Sequence, residues 1–301
     1  MQCYAEDAST AERAARAAFL AVDEVERVAT DYDPASELSR LGDRASAGAM
    51  VDSVVLSALL FELLVEAQSF ARLTDGAFDP TLGASTKLWR RAKRQGEPPT
   101  PSRLDAARAS GGWRSLELDN EHRAARLGLE GMRLDLGGVA KGQALDRALA
   151  ALVSHGIERA LIEGGGDLRA GAPPPGESHW WIALEGTSSS VPLAHAGMAS
   201  SGDHYRGFDH DGSRYSHILD PRSGHALSAG ESATVIAPTA AEADAFASAA
   251  CVAEIRVSSA WFTSGTDRSA LIRKNVDGVQ GAWISPAWPV GQFPSSAPNE
   301  P

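Results

Sequence analysis

The sequence predicts an α+β fold in a single domain, and three observations predict it. Helix-patterned segments come first, short strand-patterned runs fill the middle, and no strict strand–helix alternation marks a doubly wound sheet. A length of 301 residues with 43% apolar content also supports a sizeable core. No internal repeat at a fixed period points to a solenoid.

Ser9 or Thr10 is placed to cap a first helix, in which Ala15, Phe19, Val22 and Val25 share one face. It ends near the turn "DYDPASELSRLG". Asp52 or Ser53 begins a second, "VVLSALLFELLVEAQSFARL", with Leu56, Leu59, Leu60, Leu63 and Ala67 on the apolar side. "KRQGEPPTPSRLDAARAS" combines turn chemistry with a short capped helix, and its Lys and Arg read as solvated charge. From residue 114 the period changes, and "RSLELD", "HRAARLGL" and "GMRLDL" suit a meander. The last run passes through paired glycines into an alanine-rich helix after Gly142. "RALIEGGGDLRAGA" reads as two strands joined by a glycine turn, since three successive glycines do not make a strand interior. "HWWIALEG", "SRYSHILDPRSGHAL" and "ESATVIAP" supply further strand, and Thr239 caps the helix "TAAEADAFASAACVAE". The domain is expected to span residues 1–287, with the Pro/Ser-rich segment 288–301 as a frayed tail.

A formal net charge of −11 argues against a general nucleic-acid binder. An anionic ligand would need a metal or a few placed cations. Cys3 and Cys251 are too few and too scattered for a zinc site or a disulfide framework. No run has the 18 or so apolar residues of a membrane span, and "AARAAFLAV" is flanked by charge like an amphipathic helix. As written the chain reads as cytoplasmic; an omitted leader would place it outside the cytoplasm.

Four glycine-rich stretches carry Asp or His between apolar runs: "TDGAFDPTLG", "DLGGVAKG", "EGGGDLRAG" and "SSGDHYRGFDHDGSRYSHILDPRSG". Each alone is an ordinary turn, but four suggest loops gathered over a scaffold. Lys141 lies at a strand–turn–helix junction of the kind that holds phosphate, yet neither the Walker spacing nor Gly-x-Gly-x-x-Gly is present. Asp244 and Ser248 sit four apart on a predicted helix and face one way. Two oxygens so placed suit Mg2+ completed by phosphates; the alternative is a solvated Asp and a packing Ser. His217 and Asp220 in "YSHILDP" are the acid/base pair the sequence offers, against a structural histidine in a strand.

Taken in order, "YDPASELSRL", "DGAFDPT", "DLGGVAKG", "GGGDLRA", "SGD" with "YSHILDPRSG", and "EADAFAS" resemble the ApbE family of FAD:protein FMN transferases over residues 19 to 253. The resemblance implies a T-fold-like domain of mixed, mostly antiparallel sheet with covering helices. It implies Mg2+-dependent transfer of the FMN moiety of FAD to a threonine hydroxyl of an acceptor flavoprotein with a Ser/Thr-Gly-Ala-Thr-like motif, releasing AMP. The metal would be held by the Gly138 carbonyl, Asp244 and Ser248. FAD would contact Tyr32, Ala77, Phe78, Asp79, Asp135, Lys141 and Ile218, and His217 with Asp220 would be catalytic. The chain departs from the pattern in three places: Ser248 replaces a threonine, "MQCYAEDAST" lacks the family's N-terminal strand with its Met-Gly-Thr segment, and after Ala250 "CVAEIRVSSAWFTSGTDRSALIRKN" is less regular than the family's apolar helix and strand. Two other functions share these residues, a Mg2+-dependent FAD pyrophosphatase giving FMN and AMP, and an FAD-binding protein without turnover.

Overall fold

Asp7, rather than Ser9 or Thr10, opens the first helix: its carboxylate accepts the Thr10 amide at 2.8 Å. A computed structural model describes residues 1–46, 53–184, 189–202, 207–228, 230–263, 265–276 and 279–289. Most of the tail expected at 288–301, and Asp203 to Arg206 of the fourth glycine-rich stretch, lie outside the described residues. In chain order the elements are β1 (Gln2–Cys3), α1 (Ala8–Ala29), α2 (Glu37–Ser46), β2 (Val54–Val55), α3 (Ala58–Leu73), α4 (Gly83–Gln95) and α5 (Pro101–Ala109). Then come β3 (Leu116–Asp119), β4 (Ala124–Leu127), α6 (Ala140–Ser154), β5 (Ala160–Gly164), β6 (Asp167–Ala170), β7 (Trp180–Ala183), β8 (Ser190–Leu193) and β9 (Gly197–Gly202). The chain continues through β10 (Gly207–His210), β11 (Ser213–Ser216), β12 (Ser232–Ala237), α7 (Ala240–Val252), α8 (Ile255–Ser258), β13 (Ser269–Val276) and β14 (Val279–Ile284).

The α+β class holds. Among the described residues seven strands form one sheet in the order β1-β5-β6-β9-β12-β13-β14, and every neighbouring pair is antiparallel. At its centre Gly202 pairs with Ser232 and Gly197 with Ala237, so Ala199, Ser201, Ala233 and Val235 face one side. That side is covered by α7, which buries residues all round its axis from Ala240 to Cys251. Next to α7 lies α6, and α1 packs on α6. On the opposite side Met198 and Leu271 meet Trp180, Val191 and Leu193 of the β7–β8 hairpin.

Several expectations are corrected. Ala14, Ala18 and Val25 form the buried line of α1, whereas Phe19 is 60% exposed. The gap between α1 and α6 is narrow and lined by Ala148 and Leu152, so it accepts alanine and excludes a phenyl ring. The second half of the "DYDPASELSRLG" turn is helix, since α2 starts at Glu37. The helix expected from Asp52 or Ser53 starts only after the Ser57 cap, because Val54 and Val55 pair with Ala125 and Ala124. "GMRLDL" is not a strand; its only bridge joins Arg133 to Leu82. The alanine-rich helix starts at Ala140, ahead of Gly142. At the sheet edge β1 is two residues long, with Gln2 paired to Leu161 and Cys3 to Ala160.

Candidate functional site

The turn at 135–140 builds itself from local hydrogen bonds. Asp135 Oδ1 accepts the Gly137 amide at 2.8 Å, and the Leu136 carbonyl accepts Val139 N at 3.0 Å and Ala140 N at 2.7 Å. Helix α6 therefore begins at once, with Lys141 in its first turn. Gly142 then lies against the start of α7 so closely that a Cβ would stand 2.3 Å from the Ala240 carbonyl carbon. Gly197 makes the same approach from the sheet, 2.3 Å from Ala240 N. Asp146, one turn further along α6, accepts Ala240 N and Ala241 N at 3.0 Å each and pairs with Arg169 at 2.7 Å. These contacts fix α7 in register with α6.

The expected metal ligands meet at this junction. A Cβ on Gly138 would lie 3.5 Å from Ser248 Oγ and 3.1 Å from the Phe78 ring. The Ser248 hydroxyl is 3.1 Å from that of Ser201, which faces α7 from β9. Asp244 is only 3% exposed and so is not a solvated residue. Its Oδ2 accepts the Lys141 ammonium, which is also 2.7 Å from Asp167 Oδ2. The glycine turn between β5 and β6 lies over the lysine stem, 3.6 Å from a Cβ at Gly165. Two buried carboxylates therefore share one ammonium, which can neutralise only one of them. Burial and repulsion from Asp244 push the Asp167 carboxyl up to about 7. Burial alone would lower the Lys141 ammonium, but Asp244 and Asp167 outweigh it and raise it above the usual lysine range.

Magnesium fits this donor set in kind: the Asp244 carboxylate, the Ser248 hydroxyl and the Gly138 carbonyl are oxygens, and Asp244 already draws in a cation. Among the described residues no cluster of three His, Cys, Asp or Glu side chains could hold a metal alone. A metal held by these oxygens would need phosphate or water oxygens to complete its shell.

The remaining residues form a border. Tyr32 is 77% exposed, and the Arg90 guanidinium lies 4.2 Å from its ring centroid. Arg90 also pairs with Asp31 at 2.5 Å and approaches Asp135 at 3.7 Å, so it ties Tyr32 to the turn before α6. Ala77 is half-buried. Phe78 and Ile218 both belong to the main core. Asp79 is committed to scaffolding, accepting Thr81 N at 2.8 Å, Thr81 Oγ1 at 2.6 Å and Trp113 N at 3.2 Å. Burial raises its carboxyl and those hydrogen bonds oppose the rise. Asp220 accepts its own turn's Arg222 amide and guanidinium at 3.0 Å, while His217 is exposed. That turn is seated on α4, where Trp89 Nε1 donates to the Gly224 carbonyl at 2.8 Å.

Reading the sequence missed Arg90, Asp146, Asp167 and Ser201. Asp167 carried a signal, the aspartate closing a triple-glycine turn; the others act over more than 20 residues of separation.

The chain is similar to known proteins in sequence and in fold. A family model described as the ApbE family matches residues 1–272. An FAD:protein FMN transferase of Chlamydia muridarum is 30% identical over 231 residues, 75% of this chain and 72% of its own length. One from Haemophilus influenzae is 31% identical over 226 residues, 71% of this chain and 64% of its own. The apo flavinyl transferase ApbE of Pseudomonas stutzeri superposes with TM-score 0.79 at 25% identity, covering 92% of this chain and 87% of that one. The flavin transferase ApbE of Vibrio cholerae superposes with TM-score 0.78 at 27% identity, covering 95% and 92%.

Proposed function

The chain belongs to the ApbE family, and from that premise we propose that it transfers the FMN moiety of FAD to a threonine hydroxyl of an acceptor flavoprotein, with Mg2+ required and AMP released. The observation that carries this reading is the meeting of Gly138, Lys141, Asp244 and Ser248 where α6 crosses α7. Asp244, Ser248 and the Gly138 carbonyl would hold the metal. Bound Mg2+ would neutralise charge on the pyrophosphate during attack at phosphorus.

The chain's own groups do the rest. Lys141 offers a fixed positive charge to the phosphates, at the end of a helix whose dipole also favours an anion. Tyr32, backed on one face by Arg90, offers an exposed aromatic surface to a planar ring. Phe78 and Ala77 border the metal side, while Asp79, Asp135 and Ile218 shape the loops around it. His217 would take the hydroxyl proton as the acceptor oxygen bonds to the FMN-side phosphorus, and Asp220 would support it. The phosphoanhydride bond then breaks and AMP leaves with its electron pair.

The test is incubation with FAD, Mg2+ and an acceptor domain carrying a Ser/Thr-Gly-Ala-Thr-like motif. Covalent flavin on the acceptor and stoichiometric AMP are expected. Free FMN with AMP and an unmodified acceptor would instead identify a pyrophosphatase. FAD bound without AMP would identify a carrier.

A further inference from the structure

Helix α4 has five cations, Lys87, Arg90, Arg91, Lys93 and Arg94, in 13 residues with no acid, in a chain whose net charge is −11. Its buried face carries Trp89 and Ala92, which pack against Leu104 and Leu219. Lys87, Arg91 and Arg94 follow helical spacing along an exposed face, and among the described residues none of them has an ion-pair partner. Position gives this face meaning. Arg90 binds Tyr32, Asp31 and Asp135 on one side of the helix, and Trp89 holds the turn containing Asp220 on the other. Helix α4 thus spans two parts of the candidate site and turns its unpaired charge outward beside them.

We propose that this exposed cationic face is the docking surface for the acceptor protein, which presents an acidic patch next to the hydroxyl to be modified; the inference rests on the transferase reading above. The acceptor must cover the rim of the site to bring its hydroxyl to the flavin, and α4 lies along that rim. Elsewhere the acidic surface of the enzyme repels an acidic partner, so the face of α4 fixes where it lands. A membrane is the poorer occupant, because a helix lying on a bilayer inserts an apolar face and that of α4 is already used by the fold.

The probe is a carrier domain displaying a Ser-Gly-Ala-Thr segment flanked by four glutamates, or by four lysines. Wild-type enzyme should modify the glutamate form with kcat/KM higher by about tenfold at low salt, a preference that falls with ionic strength. The triple variant Lys87→Glu, Arg91→Glu, Arg94→Glu should reverse the preference and leave FAD affinity unchanged. The neutral triple Lys87→Gln, Arg91→Gln, Arg94→Gln should erase it. Equal use of both carriers by wild type, or a preference surviving in both variants, overturns the proposal while transfer itself stands. Loss of FAD affinity in the variants would mean that the face steers nucleotide, and overturns it too. Binding of wild type to phosphatidylglycerol vesicles, lost in the variants with carrier preference intact, would assign the face to membranes. Failure of wild type to modify either carrier removes the transferase reading, and this inference with it.

Discussion

Asp167 carries a pH dependence whose sign follows from its surroundings. Burial and Asp244 hold its carboxyl at about 7 in the folded protein, well above the usual aspartate value of 3.8. The native state therefore keeps this proton where the unfolded chain has lost it, so the contribution to stability is full below about pH 4 and is lost as pH rises through about 7. Thermal unfolding in metal-free buffer should show the Asp167→Asn variant gaining on wild type across that interval; a difference constant with pH would contradict the assignment. Lys141→Met should weaken FAD binding and also lower stability more at pH 8 than at pH 5, because it leaves Asp167 and Asp244 facing one another without a cation. His217→Ala should lower transfer by roughly 10²–10⁴-fold with FAD affinity kept, as removal of a positioned base does. Asp220→Ala should resemble Arg222→Ala if the carboxylate acts by holding its turn, and His217→Ala if it acts through the histidine. Comparing transfer and FAD affinity across the three variants separates these roles.

The junction of α6 with α7 sets how the proposed metal ligands Asp244 and Ser248 lie relative to Gly138 and Lys141. Gly142→Ala would put a methyl 2.3 Å from the Ala240 backbone, forcing the helices apart. A loss of about 1–3 kcal/mol is expected, by the usual cost of overpacking, together with weaker Mg2+ binding. Gly281→Ala, whose Cβ would meet nothing within 4 Å, should be silent in both denaturation and metal titration. Asp146→Ala removes the acceptor of two α7 amides and should cost about 1–2 kcal/mol as a lost helix cap. The sequence showed this junction only in part. Thr239 as a cap, and the glycine turn between β5 and β6, could be read because short-range hydrogen bonding and backbone sterics determine them. The buried face of α1 could not, since alanines lie on several sides of that helix and only the narrow gap to α6 selects Ala14 and Ala18 over Phe19. Arg90 was hidden for a different reason: its chain neighbours are solvated cations, and its partners Asp31 and Asp135 are more than 40 residues away.

Across the whole molecule, if Asp244, Ser248 and the Gly138 carbonyl hold Mg2+ as proposed, they form an incomplete oxygen shell that FAD phosphates would complete, so FAD and Mg2+ should each tighten the other by one shared factor. Calorimetric titration of Mg2+ with and without FAD measures this factor. Asp244→Asn should abolish the coupling, and Ser248→Thr should preserve it. A variant Asp244→Asn that titrates like wild type would remove the metal assignment. The two sides of the site also differ in how they are held. Helix α7 is enclosed on every side by α6, α3 and the central strands, whereas Tyr32 and the outer face of α4 stand in solvent. Amide hydrogens around Asp244 and Ser248 should therefore exchange with deuterium only when the entire domain opens, while those around Tyr32 exchange through local fluctuations. A nucleotide arriving at this protein would meet a hard edge and a soft one: the phosphates find their seat already formed, and the ordering that accompanies binding falls on the ring end.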